Sequence, residues 1–228
     1  MSRTIHREIA GSDWWVWPQE VRRSGWSKLF GRHAAAPLRL HVDIGFGNGE
    51  FLTELARRDS GRAVVGIELS FKRVLKVARR LSRTDLRNVR LLGVDAAWAV
   101  REAFEDESVE SFWINFPDPW PKRRHRRRRF IEPIFVAELS RRLMVGGLLH
   151  VATDDPAYAA AIRTALDGEP LLENARALAA HQDQRCELPP TAFERVWIAQ
   201  GRPCFFFEHR RVKTITASRS AHPSRVAS

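Results

Sequence analysis

Residues 115–129 read NFPDPWPKRRHRRRR and place one carboxylate beside a dense run of cations. Asp118 lies between two prolines and two residues before Trp120, and residues 122–129 include seven lysines or arginines. The basic run has three interpretations: a solvated surface, a localisation signal, or a phosphate-binding edge beside a site. We favour the third, because binding to phosphates explains both the amount of positive charge and its position next to the acid.

A second set of functional candidates follows three predicted strands. The first strand ends in DIGFGNG, residues 43–49, and the next two end in acids. Glycines at alternate positions let a backbone turn sharply and approach a ligand closely, and acids at successive strand ends of a parallel sheet meet at one edge. The candidate cofactor-binding residues are Asp43, Gly45, Gly47, Gly49, Glu68 and Asp95.

The charge of this set favours one nucleotide cofactor. Glu68 lies at the distance from the turn at which an acid reaches a ribose diol, and Asp95 is placed to accept from an adenine amino group. The turn reads GxGxG, not the GxGxxG typical of NAD, and Asp43 and Glu50 flank it. Acids there repel a pyrophosphate but suit the sulfonium and ammonium of S-adenosylmethionine. The alternative is that the glycines only form a turn and the acids only cap helices.

Strands and helices alternate along the chain. The predicted strands are 38–44, 63–69, 89–95, 108–116 and 148–154, and the predicted helices are 50–58, 70–83, 96–104, 129–143 and 156–168. This alternation predicts an α/β fold with a doubly wound, mostly parallel sheet and helices on both faces. Residues 195–201 and 203–212 are expected to form a C-terminal antiparallel hairpin.

Two ends are predicted to lie outside the domain of residues 38–212. Residues 1–37 hold four of the eight tryptophans, and residues 213–228 form a small, polar, basic tail that we expect to be disordered. Packing is favoured over base stacking for these tryptophans. The net charge of +11 indicates a phosphate-rich partner.

The remaining composition excludes several classes of protein. The two cysteines, Cys186 and Cys204, form no metal-binding pattern and no disulfide framework, so no metal is expected. There is neither a signal peptide nor an apolar run long enough to span a membrane, which predicts a cytoplasmic protein. Monomer and homodimer both stay open.

The motifs together resemble one family. VDIGFGNGEF, GIELS, GVDA, NFPDPWPKRRHRRRR, HVATDDPAYA and PPTAFE occur in the order typical of bacterial tRNA (guanine-N7-)-methyltransferases. The resemblance covers about residues 38–195, plus LFGR at 29–32. It implies a Rossmann-like class I methyltransferase fold and methyl transfer from S-adenosylmethionine to N7 of a guanine in the tRNA variable loop.

The resemblance also implies roles for particular residues. Asp118 would lie where cofactor and catalysis meet, as both a catalytic and a cofactor-binding residue, and Trp120 would stack on the base or pack beneath the loop. Independently of the resemblance, the basic run from Arg124 to Arg129 is expected to open a helix that presents its guanidinium groups to RNA phosphates. The implied substrate-binding residues are Lys122, Arg126, Asp154, Thr191 and Glu194. Thr191 and Glu194 also have the spacing of a helix-capping box, and the two roles are compatible.

The chain departs from the family pattern at several positions. Asp155 replaces a tryptophan, Ala192 replaces a lysine and Pro121 replaces a histidine, and the match weakens after residue 195. These departures concern tRNA docking more than the chemistry. Two alternatives remain: an RNA-binding protein with this fold and no activity, and a methyltransferase acting on another nucleic-acid base.

Overall fold

The computed structural model describes residues 13–120, 124, 129–175 and 191–212 of the chain. The strands are β1 (Trp15–Val16), β2 (Leu40–Ile44), β3 (Ala63–Ile67), β4 (Val89–Leu92), β5 (Val109–Asn115), β6 (Leu143–Thr153), β7 (Leu172–Asn174) and β8 (Phe205–Arg211). The helices are α1 (Pro18–Phe30), α2 (Glu50–Arg58), α3 (Phe71–Leu81), α4 (Ala96–Glu102), α5 (Pro133–Arg142), α6 (Pro156–Asp167) and α7 (Ala192–Ala199).

These strands form one sheet in the order β1-β4-β3-β2-β5-β6-β8-β7. The pairs among β1 to β6 are parallel, whereas β8 runs antiparallel to both β6 and β7. The predicted doubly wound, mostly parallel fold is therefore confirmed, with antiparallel strands at its C-terminal side. Neighbouring parallel strands need a crossover connection such as a helix, because a short hairpin turn can join only antiparallel strands.

The carboxyl ends of the central strands lie level with one another. Ile67 pairs with Ile44 on one side and with Leu92 on the other, and Ile44 also pairs with Ile114. The side chains of these four residues are buried. The short apolar runs thus behave as strands covered on both faces, and their register brings the loops that follow them to one edge.

Two apolar clusters cover the two faces of the sheet. Helices α2 and α3 pack on one face through residues such as Leu55 and Val77. Helices α1, α4, α5 and α6 contribute to the cluster on the other face, with Phe30, Val136 and Ile162 among its members. Each of these six helices buries its apolar side against the sheet, as an amphipathic pattern predicts.

Residues 13–30 contribute to this same sheet and core. The N–H of Leu91 donates to the Trp14 carbonyl at 2.6 Å, and Trp15 pairs with Leu91 in the parallel β1–β4 ladder. Trp14, Trp15 and Trp26 are all buried, so the expectation that they pack is confirmed for these three. The division at residue 37 into an extension and a domain stays a prediction.

Residues 195–201 do not form the expected strand. Helix α7 begins after Thr191, and residue 201 follows its end. The antiparallel partners of β8 are β6 and β7 instead. The run VWIA has the β-branched and aromatic residues typical of strands, but the capping box at its start favours a helix, and the helix forms.

The helix predicted at 129–143 starts later than expected. Pro133 occupies its first turn, where a proline needs no N–H partner, and Arg129 lies outside it. The hypothesis that the arginines up to Arg129 open a helix toward RNA is therefore wrong for Arg129.

Among the helices of the described residues, none has both the length and the apolar character needed to cross a bilayer.

Candidate active site

A cleft of about 630 Å³ opens at the carboxyl edge of the central strands. Loops after β2, β3, β4 and β5 form its walls, as the level strand ends require. Its lining residues include the predicted site residues Gly45, Glu68, Asp95 and Asp118. Four predicted residues from four different loops therefore converge on one cavity of the size that small-molecule sites typically have.

The glycine turn after β2 depends on backbone conformations that favour glycine. Gly45, Gly47 and Gly49 have φ angles of +75°, +54° and +70°. A Cβ on Gly49 would lie 2.8 Å from Cγ1 of Val77 in α3. Gly49 is thus needed both for the left-handed start of α2 and for the close packing of the turn against α3.

Asp43, Gly47 and Gly49 shape this turn without lining the cleft. Asp43 is buried at the end of β2 and does not line the cleft, unlike Gly45. The Gly47 N–H donates to Oε2 of Glu68 at 3.1 Å. Of the predicted cofactor residues, Asp43, Gly47 and Gly49 therefore shape the cavity, and their direct contact with a cofactor stays a prediction.

The two acids at the next strand ends differ in exposure. Glu68 is buried, and its Oε1 accepts from the Ser70 N–H at 2.9 Å while Arg73 lies 3.6 Å away. Asp95 is exposed and caps α4, its Oδ1 accepting from the Trp98 N–H at 3.0 Å. Each carboxylate oxygen has two lone pairs, so both acids keep acceptor capacity for hydroxyl or amino groups of a ligand.

Asp118 lies on a constrained loop at the end of β5. The loop is attached to β6 by the Phe116 N–H, which donates to the Ala152 carbonyl at 2.8 Å. Phe116 and Trp120 have φ angles of +50° and +41°, conformations that cost non-glycine residues about 1–3 kcal/mol each. Asp118 is exposed between them and Trp120 lines the cleft, so the loop presents a carboxylate and an aromatic ring at its mouth.

Comparison with known proteins agrees with this geometry. A family model described as "Putative methyltransferase" matches residues 38–207. A tRNA (guanine-N(7)-)-methyltransferase of Halorhodospira halophila is 38% identical over 82% of this chain and 81% of the relative. The chain belongs to the tRNA (guanine-N(7)-)-methyltransferase family. The resemblance read from the motifs, and with it the prediction of a methyltransferase, is confirmed.

Two further comparisons bound this assignment. A tRNA (guanine-N(7)-)-methyltransferase of Thermotoga maritima is 41% identical over 85% of this chain, which spans only 59% of that relative's length. The crystal structure of the aminoglycoside resistance methyltransferase NpmB1 has a TM-score of 0.55 at 17% identity, covering 86% of this chain and 93% of the other. The second similarity concerns the fold alone, and it agrees with the predicted methyltransferase fold.

In this member of the tRNA (guanine-N(7)-)-methyltransferase family, Arg129 braces the Asp118 loop. Its Nε donates to the Pro119 carbonyl at 2.6 Å, its Nη2 lies 3.5 Å from Oδ1 of Asp155, and its guanidinium covers the Tyr158 ring at 4.5 Å. Arg129 is buried, and burial raises the pKa of the Tyr158 hydroxyl to about 12, so the ring stays neutral. One arginine of the basic run therefore points inward and holds the loop.

Asp155 is the residue that replaces the family's usual tryptophan. Its Oδ1 accepts from the Tyr158 N–H at 2.5 Å, which caps α6. The same oxygen faces Arg129. The departure thus supplies a helix cap and a counter-charge, two contacts that a tryptophan cannot make.

Helix α7 engages three of the predicted substrate-binding residues. The Glu194 N–H donates to Oγ1 of Thr191 at 3.1 Å, and the Thr191 N–H donates to a Glu194 carboxylate oxygen at 2.5 Å. Nε1 of Trp197 donates to the carboxylate of Asp154. The capping box is confirmed, and none of these three residues lines the cleft, so their contact with substrate stays a prediction.

The cleft also contains residues that the motifs did not single out. Ser70, Arg73, Asn115 and Phe130 line it beside the predicted ones. Arg73 lies within the predicted helix 70–83, and its position five residues after Glu68 is the sequence signal that the two charges could meet. Lys122 and Arg126 lie outside the described residues, so their predicted contacts stay predictions.

Proposed function

We propose that this chain transfers the methyl group of S-adenosylmethionine to N7 of a guanine in the variable loop of tRNA. The observation that carries this proposal is the exposed carboxylate of Asp118, fixed at the mouth of a cleft whose inner wall holds Glu68 and Asp95. The family supports tRNA as the substrate. The choice of the variable loop rests on the motif resemblance, and the cytoplasm is the expected compartment for a tRNA substrate.

The described residues fit S-adenosylmethionine. The cleft of about 630 Å³ is in the range of about 300–1,000 Å³ that such ligands occupy. Glu68 would accept from the ribose hydroxyls and Asp95 from the adenine amino group, while Gly45 leaves the methionine end room to approach the backbone. The acidic groups around the cleft also suit a cofactor that carries positive charge.

Guanine N7 has an exposed lone pair and no proton, so the reaction needs neither a strong base nor a covalent nucleophile. The cofactor supplies an activated methyl group: an N7–C bond forms as the S–C bond breaks, and S-adenosylhomocysteine leaves. The protein's part is to align the base and to oppose the positive charge that develops on the purine. Asp118 would accept from N1–H and the 2-amino group while its charge opposes that cation.

Trp120 and the basic run would assist this alignment. Trp120 lines the cleft, where it would stack on a base turned out of the tRNA fold. The cations of residues 122–128 would hold neighbouring phosphates. A protein of this fold that binds RNA without activity would not need Glu68, Asp95 and Asp118 placed around one cavity, which favours the enzyme.

The test is methylation of unmodified tRNA with labelled S-adenosylmethionine, followed by nucleoside mass spectrometry. We expect 7-methylguanosine from tRNA, none from duplex DNA, and none from a tRNA whose variable-loop guanines are replaced by adenine. Binding of tRNA with no methylated product would support the inactive alternative. A product other than 7-methylguanosine, or equal methylation of DNA, would refute the proposed reaction.

A further inference from the structure

Helix α3 has a basic surface that the cleft does not use. Between Ser70 and Thr84 the chain has six lysines or arginines and no acid. Two of these cations, Arg73 and Arg80, contact the neighbouring loops through Glu68 and Asn48. The other four are exposed, and we call them the outer cations of α3: Lys72, Lys76, Arg79 and Arg83.

The two inner cations stabilise the cofactor side of the site. Arg73 lies 3.6 Å from Glu68 and lines the cleft. Nη2 of Arg80 donates to the Asn48 carbonyl at 2.7 Å, within the glycine turn. These contacts account for two of the six charges and leave the outer cations to be explained.

The outer cations lie in a row. Lys72, Lys76 and Arg79 are spaced i, i+4, i+7, which places them on one face of the helix, and Arg83 follows one turn later, just past its end. Among the described residues, no carboxylate is found within 4.0 Å of any of the four. Like charges at this spacing within a helix repel by about 0.2–0.5 kcal/mol per pair, and a bound anion would relieve that repulsion.

This row starts beside the mouth of the cleft. Residues 67–70, immediately before α3, line the cleft, as does Arg73 on the first turn. The helix then runs for 11 residues, roughly 16 Å, away from that point. A polyanion with one nucleotide in the cleft would therefore find a cationic edge here, separate from the basic run after Trp120.

We propose that the outer cations of α3 bind the phosphate backbone of tRNA while the target guanine occupies the cleft. This inference rests on the proposed function for the identity of the polyanion. It adds a second phosphate-binding edge, on the β3 side of the cleft, to the one proposed for the basic run that follows β5 in the sequence. The two edges together would fix the direction of the tRNA across the site.

The test compares two triple variants that each remove three positive charges. The first is Lys76→Gln/Arg79→Gln/Arg83→Gln. The control is Arg23→Gln/Lys28→Gln/Arg101→Gln, whose residues are also exposed but lie on α1 and α4, on the other face of the sheet. Binding of tRNA is measured by fluorescence anisotropy between 50 and 200 mM NaCl, on the order of the range over which phosphate contacts are resolved.

We expect the first variant to flatten the slope of log K against log [NaCl] by roughly 2–3, because each lost phosphate contact removes about 0.7–0.9. Its KM for tRNA should rise about tenfold or more at the higher salt concentration, with kcat at saturating tRNA and the affinity for S-adenosylmethionine close to wild type. The control should change the slope by less than 1, on the order of one contact at most.

The inference is overturned if the two variants change the slope equally, or if the first lowers the affinity for S-adenosylmethionine and leaves the slope intact. The second result would assign the row to the cofactor side of the site. Because the salt dependence of binding is measured without turnover, it is independent of the methylation product. A wild-type protein that binds tRNA with a steep slope but makes no 7-methylguanosine would refute the proposed function alone.

Discussion

The carboxyl edge of the sheet has two halves that use their polar residues differently. On the β2–β4 side, the acids Glu68 and Asp95 line an open cleft while also accepting from backbone N–H groups. On the β6–β8 side, Thr191 and Glu194 cap the start of α7, and Asp154 accepts from the Trp197 indole of the same helix. These three residues do not line the cleft. The predicted site residues thus fall into two groups: some line the cleft, and others hold helix α7 in place.

Asp118 lies at the boundary between these halves, and its substitution should have the largest effect. In Asp118→Ala we expect kcat to fall about 10²–10³-fold, since a charge aimed at the developing cation is lost. The affinity for S-adenosylmethionine should stay within a few-fold, because Glu68 and Asp95 remain. Single-turnover kinetics and calorimetry measure the two quantities.

Asp118→Asn is the matched control, because it keeps the shape of the side chain and removes the charge. An intermediate rate would separate hydrogen bonding from electrostatic stabilisation. A wild-type rate in Asp118→Ala would place the catalytic group elsewhere. Loss of affinity for S-adenosylmethionine with an unchanged single-turnover rate would indicate that Asp118 binds the cofactor and has no role in methyl transfer.

Arg129 should give the next largest effect, through the position of the loop. Arg129→Lys keeps the positive charge but cannot contact the Pro119 carbonyl, Asp155 and the Tyr158 ring together. We expect kcat to fall about tenfold, equivalent to about 1.4 kcal/mol of barrier, with KM for tRNA changed little. Steady-state kinetics on tRNA measure the split.

The lysine variant also separates bracing from phosphate binding. A phosphate contact tolerates lysine, so a variant with normal kcat would indicate that Arg129 acts only as a charge. Asp155→Asn supplies a second comparison, because it removes the counter-charge while an amide oxygen can still cap α6. A normal rate in both variants would contradict the bracing role.

Glu194 should give the smallest effect, and it tests the β6–β8 side directly. In Glu194→Ala the capping box is broken, which should lower the free energy of unfolding by about 1 kcal/mol. Glu194→Gln should retain most of that stability, since glutamine also serves in capping boxes. Urea unfolding of the three proteins measures the difference. A raised KM for tRNA with normal stability would instead make Glu194 a substrate contact.

The parts of the fold that sequence predicted were those with one dominant signal. The strands predicted at 38–44, 63–69 and 89–95 contain β2, β3 and β4, because apolar runs between helical patterns fit buried strands, and the glycines indicated a sharp turn. The spacing of Thr191 and Glu194 indicated a cap. Each of these signals is local, so a single sequence contains it.

Other features depend on contacts between distant segments. Residues 195–201 have strand-like side chains, which predict a strand, whereas the capping box at Thr191 and Glu194 starts a helix that includes residues 195–199. Arg129 belongs to a run of similar residues in the sequence, and its contacts with Asp155 and Tyr158 come from a segment almost 30 residues later. The strand β1 is two residues long, too short for any periodic pattern.

That short first strand has a consequence for synthesis of the chain. Trp15 pairs with Leu91, and the Trp14 indole donates to the Leu86 carbonyl. The ribosome therefore synthesises the partners of both tryptophans about 75 residues after the tryptophans themselves. At about 5–20 residues per second, this interval is on the order of 4–15 s. During it, the nascent chain exposes two large aromatic side chains that the finished sheet buries. The edge beside β4 is thus closed late, by a segment made early.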